Sequence, residues 1–422
     1  MQQMRSRKEL ALASCKLPAL VLVGIACFLG LTAPREISAD DWPQYRGPNR
    51  DGISRETEWG TANWSGGTPK ILWRAAIGIG FSSIAVSNGH AYSMGNIEGN
   101  TDVLFCLDVE TGREVWRYSY PCPLDPKNHE GGPHATPTVD RDLVFILSKM
   151  GHLACFEAAT GKLRWYKDFR AEFGAQPPEW GYSGSPLVVG NKVIVEVGAS
   201  NASLVAFDRN TGQIAWKASS DKAAYSSPVY FKLVNYELIA SFPASGLLIS
   251  NAVTGEALSR FAWKTAYDVN AATPIIIDND KVFISSGYGT GCALIQIGQG
   301  PPKVLWRNRE MKNHFNSCVF AAGYLYGFDE SELKCLAAAD GSVRWTQSGL
   351  GKGSLLLAGD RLVVLSERGE LVVAPASPDG FRPTARGQIL SGKCWTMPAF
   401  ANGLLYARNA AGDLVCVDMR GK

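Results

Sequence analysis

Residues 104–116 read LFCLDVETGREVW, with apolar positions alternating with others, a polar turn, and a second short run that ends in Trp116. A period of two places successive side chains on opposite faces of the backbone, so the pattern predicts a β-hairpin and not a helix. The same course returns as LACFEAATGKLRW at 153–165, LVAFDRNTGQIAW at 204–216 and LKCLAAADGSVRW at 333–345. Weaker copies cover 247–259, with Thr254-Gly255 in the turn, and 293–306. The turn explains its own residues: Asp, Glu and Thr oxygens accept from neighbouring backbone N–H groups, and Gly takes the positive φ of a tight, bulged hairpin.

A second pattern lies upstream of each hairpin: a Ser/Thr-x-Pro-like start, a β run, a Gly/Asn/Asp turn and another β run. Examples are SPLVVGNKVIVEV at 185–197, TPIIIDNDKVFIS at 273–285 and MPAFANGLLYARN at 397–409. Such starts fall near Ser83, Pro137, Pro186, Pro228, Pro274, Cys318, Leu355 and Pro398. Eight units of four strands, each roughly 40–50 residues long, predict an all-β, eight-bladed propeller of four-stranded antiparallel blades over residues 70–422. The last unit stops at 414–418 after three strands, whereas the run Lys70-Ile71-Leu72-Trp73 has no partner before it. The N-terminal strand should therefore complete the last blade and close the ring, leaving no long free edge.

Residues 1–39 follow a different pattern. Arg5, Arg7, Lys8 and Lys16 precede an uncharged apolar run at 17–33, and Ile37-Ser38-Ala39 follows it. This is the order of a secretory signal peptide, and one alternative is an uncleaved membrane anchor. Since Gly24-Ile25-Ala26-Cys27 ends in a cysteine within the apolar run, a lipoprotein signal is another, although Gly24 stands where such a signal has a Leu-like residue. Export to the periplasm or cell envelope is the expectation, with 40–69 as an N-terminal extension of the propeller. The segment 1–39 holds five basic and two acidic side chains, so the chain's formal +3 belongs to it. The remainder is near neutral and has no Lys/Arg-rich block, which argues against nucleic acid as a partner and against membrane contact beyond the N-terminal segment.

The unit A/C-x-D-x-x-T-G-x-x-x-W resembles the repeat of the pyrroloquinoline-quinone (PQQ)-like propellers, which include quinone dehydrogenases and an outer-membrane assembly lipoprotein. The resemblance runs from about Trp42 to the C-terminus. The opening segment DWPQYRGPNRDG at 41–52 is similar to that of secreted quinone-like propellers of planctomycete-type bacteria. The resemblance implies an envelope scaffold that engages other proteins or a PQQ- and calcium-dependent alcohol or sugar dehydrogenase. Trp and Tyr beside Asn and Lys in the non-repeating segments add a carbohydrate receptor as a third reading. The family's large dehydrogenases carry adjacent cysteines under the cofactor, and this chain has no Cys-Cys pair. Asp268 and Asn270 could be offered as calcium ligands, but a hard cation wants several oxygens. A non-catalytic binding role is the main expectation, because the blades carry no long insertions to build a cofactor chamber and carboxylates are sparse in the non-repeating segments. The versatility of the fold keeps the enzyme as the alternative.

Recurrence separates scaffold from candidate site. Cys106, Cys155, Cys335 and Cys416 share one slot with Ala206, and Trp116, Trp165, Trp216, Trp306 and Trp345 share another, so both sets read as packing. Pairing among Cys122, Cys292, Cys318 and Cys394 is left open. The segments before each inner strand do not repeat, and a propeller gathers them at one mouth of its channel. They supply the candidate ligand-binding residues His134, Trp180, Tyr182, Tyr225, Asp268, Asn270, His314, Asn316, Lys352, Lys393 and Trp395. No residue has the context of a nucleophile or of a fixed-spacing metal cluster, so neither a catalytic nor a metal site is predicted.

Overall fold

A computed structural model describes residues 41–61, 64, 68–298 and 300–421. The predicted leader, 1–39, lies outside the described residues. Strand β1 (Ile53–Ser54) and strand β2 (Ile71–Ala76) come first, followed by the first blade: β3 (Ala85–Ser87), β4 (His90–Ile97), β5 (Thr101–Asp108) and β6 (Glu114–Pro121). Six more blades follow within 138–168, 187–218, 229–262, 275–308, 319–347 and 354–388, and the eighth is made of strands in 399–418 with β2. The expected eight-bladed architecture is thus present, and each inner strand begins within a few residues of a sequence start.

The ring closes as the orphan strand predicts. Strand β2 pairs antiparallel with Asp413–Asp418, placing Trp73 opposite Cys416. The Trp73 indole N–H then donates to Val109 O of the first blade at 2.8 Å. Equivalent bonds join Trp116 to Ala158 O, Trp165 to Arg209 O, Trp306 to Ala338 O and Trp345 to Ser377 O, all at 2.8–2.9 Å. Each of these runs from one blade to the next. The turn glycine of the receiving blade is needed for this approach: a Cβ on Gly112 would stand 2.5 Å from the Trp73 ring, and one on Gly161 2.5 Å from Trp116. Both glycines also have positive φ, so substitution would be strained as well as crowded.

Between blades the apolar faces of neighbouring sheets interlock. Tyr92 and Leu104 of the first blade share one buried cluster with Val144 and Phe156 of the second. The recurrent Cys106, Cys155, Cys335 and Cys416 lie buried as free thiols, and Cys122, Cys292, Cys318 and Cys394 are free and buried too.

The recurrent Ser/Thr of each blade start has an inter-blade role nearer the axis. The Ser83 N–H donates to Thr136 Oγ1, that of Thr136 to Ser185 Oγ, that of Ser185 to Ser227 Oγ, and that of Thr273 to Ser317 Oγ, at 2.8–3.1 Å. A hydroxyl at this position satisfies a buried amide of the preceding blade.

Residues 41–54 cross the channel. Trp42 exchanges backbone hydrogen bonds with Val86 of the first blade, and the Val139 N–H of the second donates to Pro43 O at 2.7 Å. At the far end, β1 runs parallel to the inner strand Ser354–Ala358 of the seventh blade. Two arginines fix the middle. Arg50, 2% exposed, donates to Ser185 O and Pro228 O at 3.1 Å, to Pro186 O, and to Gln44 Oε1 at 2.8 Å. Arg46, 1% exposed, donates to Arg50 O, Asp51 O and Cys318 O. Inner-strand carbonyls that face a channel lack ladder partners, and planar guanidinium groups supply several donors to them. Burial pushes the Arg50 pKa down to about 9, which still leaves it charged at neutral pH.

Candidate functional site

Above this plug the axis opens into a cup of about 270 Å3. Tyr45, carried by the plug, closes its base, and the segments entering the inner strands supply its wall. The rings contact one another in sequence around the mouth. His129 and His134 lie edge to face with centroids 5.1 Å apart, and both approach Phe81. Phe81 stacks on Trp395 at 6.0 Å, and Trp395 packs on Phe315 at 4.6 Å. From Phe315 the path continues through His314, Tyr288 and Tyr267 to Trp180, which meets Tyr225 at 5.8 Å.

Asn128, Asn316, Ser83, Ser183, Ser185, Ser227 and Thr396 interrupt this belt, and the lining contains no Asp, Glu, Lys or Arg. The imidazoles stay neutral as well. Burial, then the neighbouring His129, pulls the His134 pKa down to about 3, and burial lowers His129. His134 Nδ1 shares a 3.1 Å hydrogen bond with Ser183 Oγ. His129 Nδ1 accepts from the Gly131 N–H at 3.0 Å, so its neutral ring carries the proton on Nε2. The His314 pKa is lowered by burial first and then by Lys352, whose ammonium donates to His314 Nδ1 at 3.1 Å.

Charge is confined to the rim, where both lysines are paired. Lys352 lies 3.3 Å from Glu330, and Lys393 lies 2.9 Å from Glu130 while capping the Trp395 ring at 4.3 Å. The Trp395 indole N–H donates to Glu367 Oε1 at 2.8 Å, which fixes the ring plane against the wall.

Of the residues singled out by sequence, His134, Trp180, Tyr225, His314, Asn316 and Trp395 line one cup. Lys352 and Lys393 stand at its rim. Tyr182 lies elsewhere: it is 2% exposed, packs on Phe169 and donates its hydroxyl hydrogen to Val197 O, because the loop before the third blade turns it into the inter-blade core. Asn270 is fully buried, with its amide donating to Pro243 O and Trp263 O, so it holds the loop. Asp268 is exposed outside the lining. Phe81, Tyr45 and Tyr288 were not among the candidates. Phe81 occupies the entry to the first inner strand, a signal equivalent to those used; Tyr45 and Tyr288 arrive from the plug and from a hairpin turn, which that signal does not cover.

The donor set limits the chemistry. Among the described residues no three His, Cys, Asp or Glu side chains converge as a metal site. A calcium ion needs several oxygen ligands, usually with carboxylates, and the carboxylated PQQ calls for cationic partners. A wall of rings, hydroxyls and amides fits neither.

Comparison with known proteins agrees with the fold. Residues 100–347 match the family model described as outer membrane protein assembly factor BamB. The chain is 22% identical over 333 residues to the outer membrane protein assembly factor BamB of Burkholderia pseudomallei, covering 75% of this chain and 77% of that one. The crystal structure of BamB from Moraxella catarrhalis superposes with a TM-score of 0.59 at 15% identity, over 83% of this chain and all of the other. The quinohemoprotein alcohol dehydrogenase of Comamonas testosteroni gives 0.65 at 13% identity, over 91% of this chain and 81% of that one. At such identities the two structural likenesses speak for the fold alone. With more than half its length matched by the family model, the chain belongs to the outer membrane protein assembly factor BamB family of PQQ-like repeat propellers.

Proposed function

We propose that this protein is an exported binding propeller of the cell envelope, which receives a ligand or a partner's segment in its axial cup and carries out no chemistry on it. The observation behind this reading is the belt of rings around the cup, from His129 through Trp395 and Tyr288 to Tyr225, at positions the repeat does not require. Concave sites with apolar walls and a few polar groups are the usual form of a binding pocket. Two of the curated relatives are named outer membrane protein assembly factors, which supports an envelope setting.

A charge placed in the wall tests the proposal. Phe315→Asp changes a half-buried ring at the centre of the belt and leaves the inter-blade contacts intact. Envelope proteins and glycans that co-isolate with the native full-length chain should be lost with the variant, because an ionised group in an uncharged cup must be desolvated by any guest. An unchanged set of co-isolated molecules would overturn the proposal.

A further inference from the structure

We infer that the guest of the cup is the uncharged end of a saccharide, one or two rings entering end-on; this rests on the reading of the cup as a binding site. Three observations carry it. The first is shape. The plug closes the base, so a chain cannot pass through, and about 270 Å3 falls just below the usual range of about 300–1,000 Å3 for small-molecule sites. Such a space takes a terminal group and not a folded element.

The second is the alternation of faces and polar edges. A pyranose presents C–H faces that lie against aromatic rings and a periphery of hydroxyls that need both donors and acceptors. Trp395 and Phe315 on one side, and Trp180 and Tyr225 on the other, offer the ring surfaces. Between them Ser83 Oγ donates to Met397 O, leaving its oxygen as an acceptor, while Ser227 Oγ accepts from the Ser185 N–H, leaving its hydrogen to donate. Burying sugar hydroxyls demands this mixture, because each unpaired polar group would cost affinity.

The third is charge. With no charged side chain in the lining, and with Lys352 and Lys393 at the rim already paired to Glu330 and Glu130, an ionised guest would lose hydration without gaining a free counter-charge. A peptide segment is the rival occupant. It would bring backbone N–H and C=O groups that need a regular row of partners, such as an open strand edge. Part of the inner-strand edge that could serve is already used: Trp42 pairs with Val86, and β1 pairs with the seventh blade.

The experiment is titration of the full chain, followed by tryptophan fluorescence and calorimetry. The probes are cellobiose, maltose, chitobiose, the charged disaccharide digalacturonate, and an uncharged hexapeptide with a central Trp-Pro. At least one neutral disaccharide should saturate, digalacturonate should bind at least tenfold more weakly, and Trp395→Ala should weaken the neutral sugar at least tenfold. Digalacturonate binding as well as the neutral sugars would overturn the inference. So would saturation by the peptide alone; if Trp395→Ala then abolished it, the cup would remain a binding site and only the saccharide assignment would fall. If no probe saturated and Phe315→Asp kept every envelope interaction, both readings would fail together.

Discussion

Trp165 and Trp395 are the same residue put to different uses. Trp165 recurs near the start of an outer strand, which runs on past it to Asp168 instead of ending there. It is 8% exposed, covers the Gly212 turn of the next blade and donates to Arg209 O at 2.9 Å. Trp395 occurs once, packs on Phe315 and Phe81, donates to a carboxylate of the cup's own rim and lies under Lys393. The first holds two blades together; the second shapes a surface. Recurrence thus marks side chains whose partners are other repeats, and its absence marks side chains that face shared space.

This contrast can be broken at the scaffold end first. Arg50→Met removes the donors to Ser185 O, Pro186 O and Pro228 O from a buried site, and should cost about 3–5 kcal/mol in denaturant unfolding, since several buried acceptors are left unpaired at once. A cost below about 1 kcal/mol would mean that the plug does not brace the channel. Trp165→Ala should follow at about 3 kcal/mol, the transfer and cavity terms of a mostly buried indole, with the cup unaltered.

Glu196 tests whether the scaffold also holds a buried acid in its protonated form. It is 6% exposed in the third blade, Oε2 accepts from the Ala224 N–H at 3.1 Å, and burial pushes its pKa up to about 8. The folded form therefore holds a proton that the unfolded chain releases near 4.5. Stability contributed by this group is full below about pH 4.5 and declines as pH rises to about 8, by a few kcal/mol to order of magnitude. Glu196→Gln should flatten that decline in urea midpoints measured from pH 5 to 9. A variant with the same slope as the native chain would assign the decline elsewhere.

The smallest stability effect belongs to the cup. Trp395→Ala should cost about 1–2 kcal/mol, less than Trp165→Ala, because its partly exposed ring packs on loop rings outside the inter-blade layers, yet remove binding. Binding by the native cup should also stay level from pH 5 to 8 as far as His134 is concerned, because that imidazole remains neutral until about pH 3.

The fold was legible because each blade writes its own strands, turn and Trp into the chain, and because Trp73 and the short last unit leave one unpaired strand and one vacancy. The cup was legible only in part. The entry segments pointed to His134, Trp180, Tyr225, His314 and Trp395, but loop residues follow no period, so nothing in sequence showed that Tyr182 and Asn270 turn inward. Tyr45 was out of reach for another reason. Its place depends on Arg46 and Arg50 finding carbonyls in three blades distant in sequence, a tertiary match that local patterning does not encode.

The most direct test is the thermal shift produced by the envelope fraction that co-isolates with the native chain, measured in parallel for native, Trp395→Ala and Trp165→Ala proteins. Trp395→Ala should melt close to the native protein and show no shift on addition of that fraction, whereas Trp165→Ala should melt lower and still shift. A Trp395→Ala protein that keeps the full shift would contradict the assignment of binding to the cup.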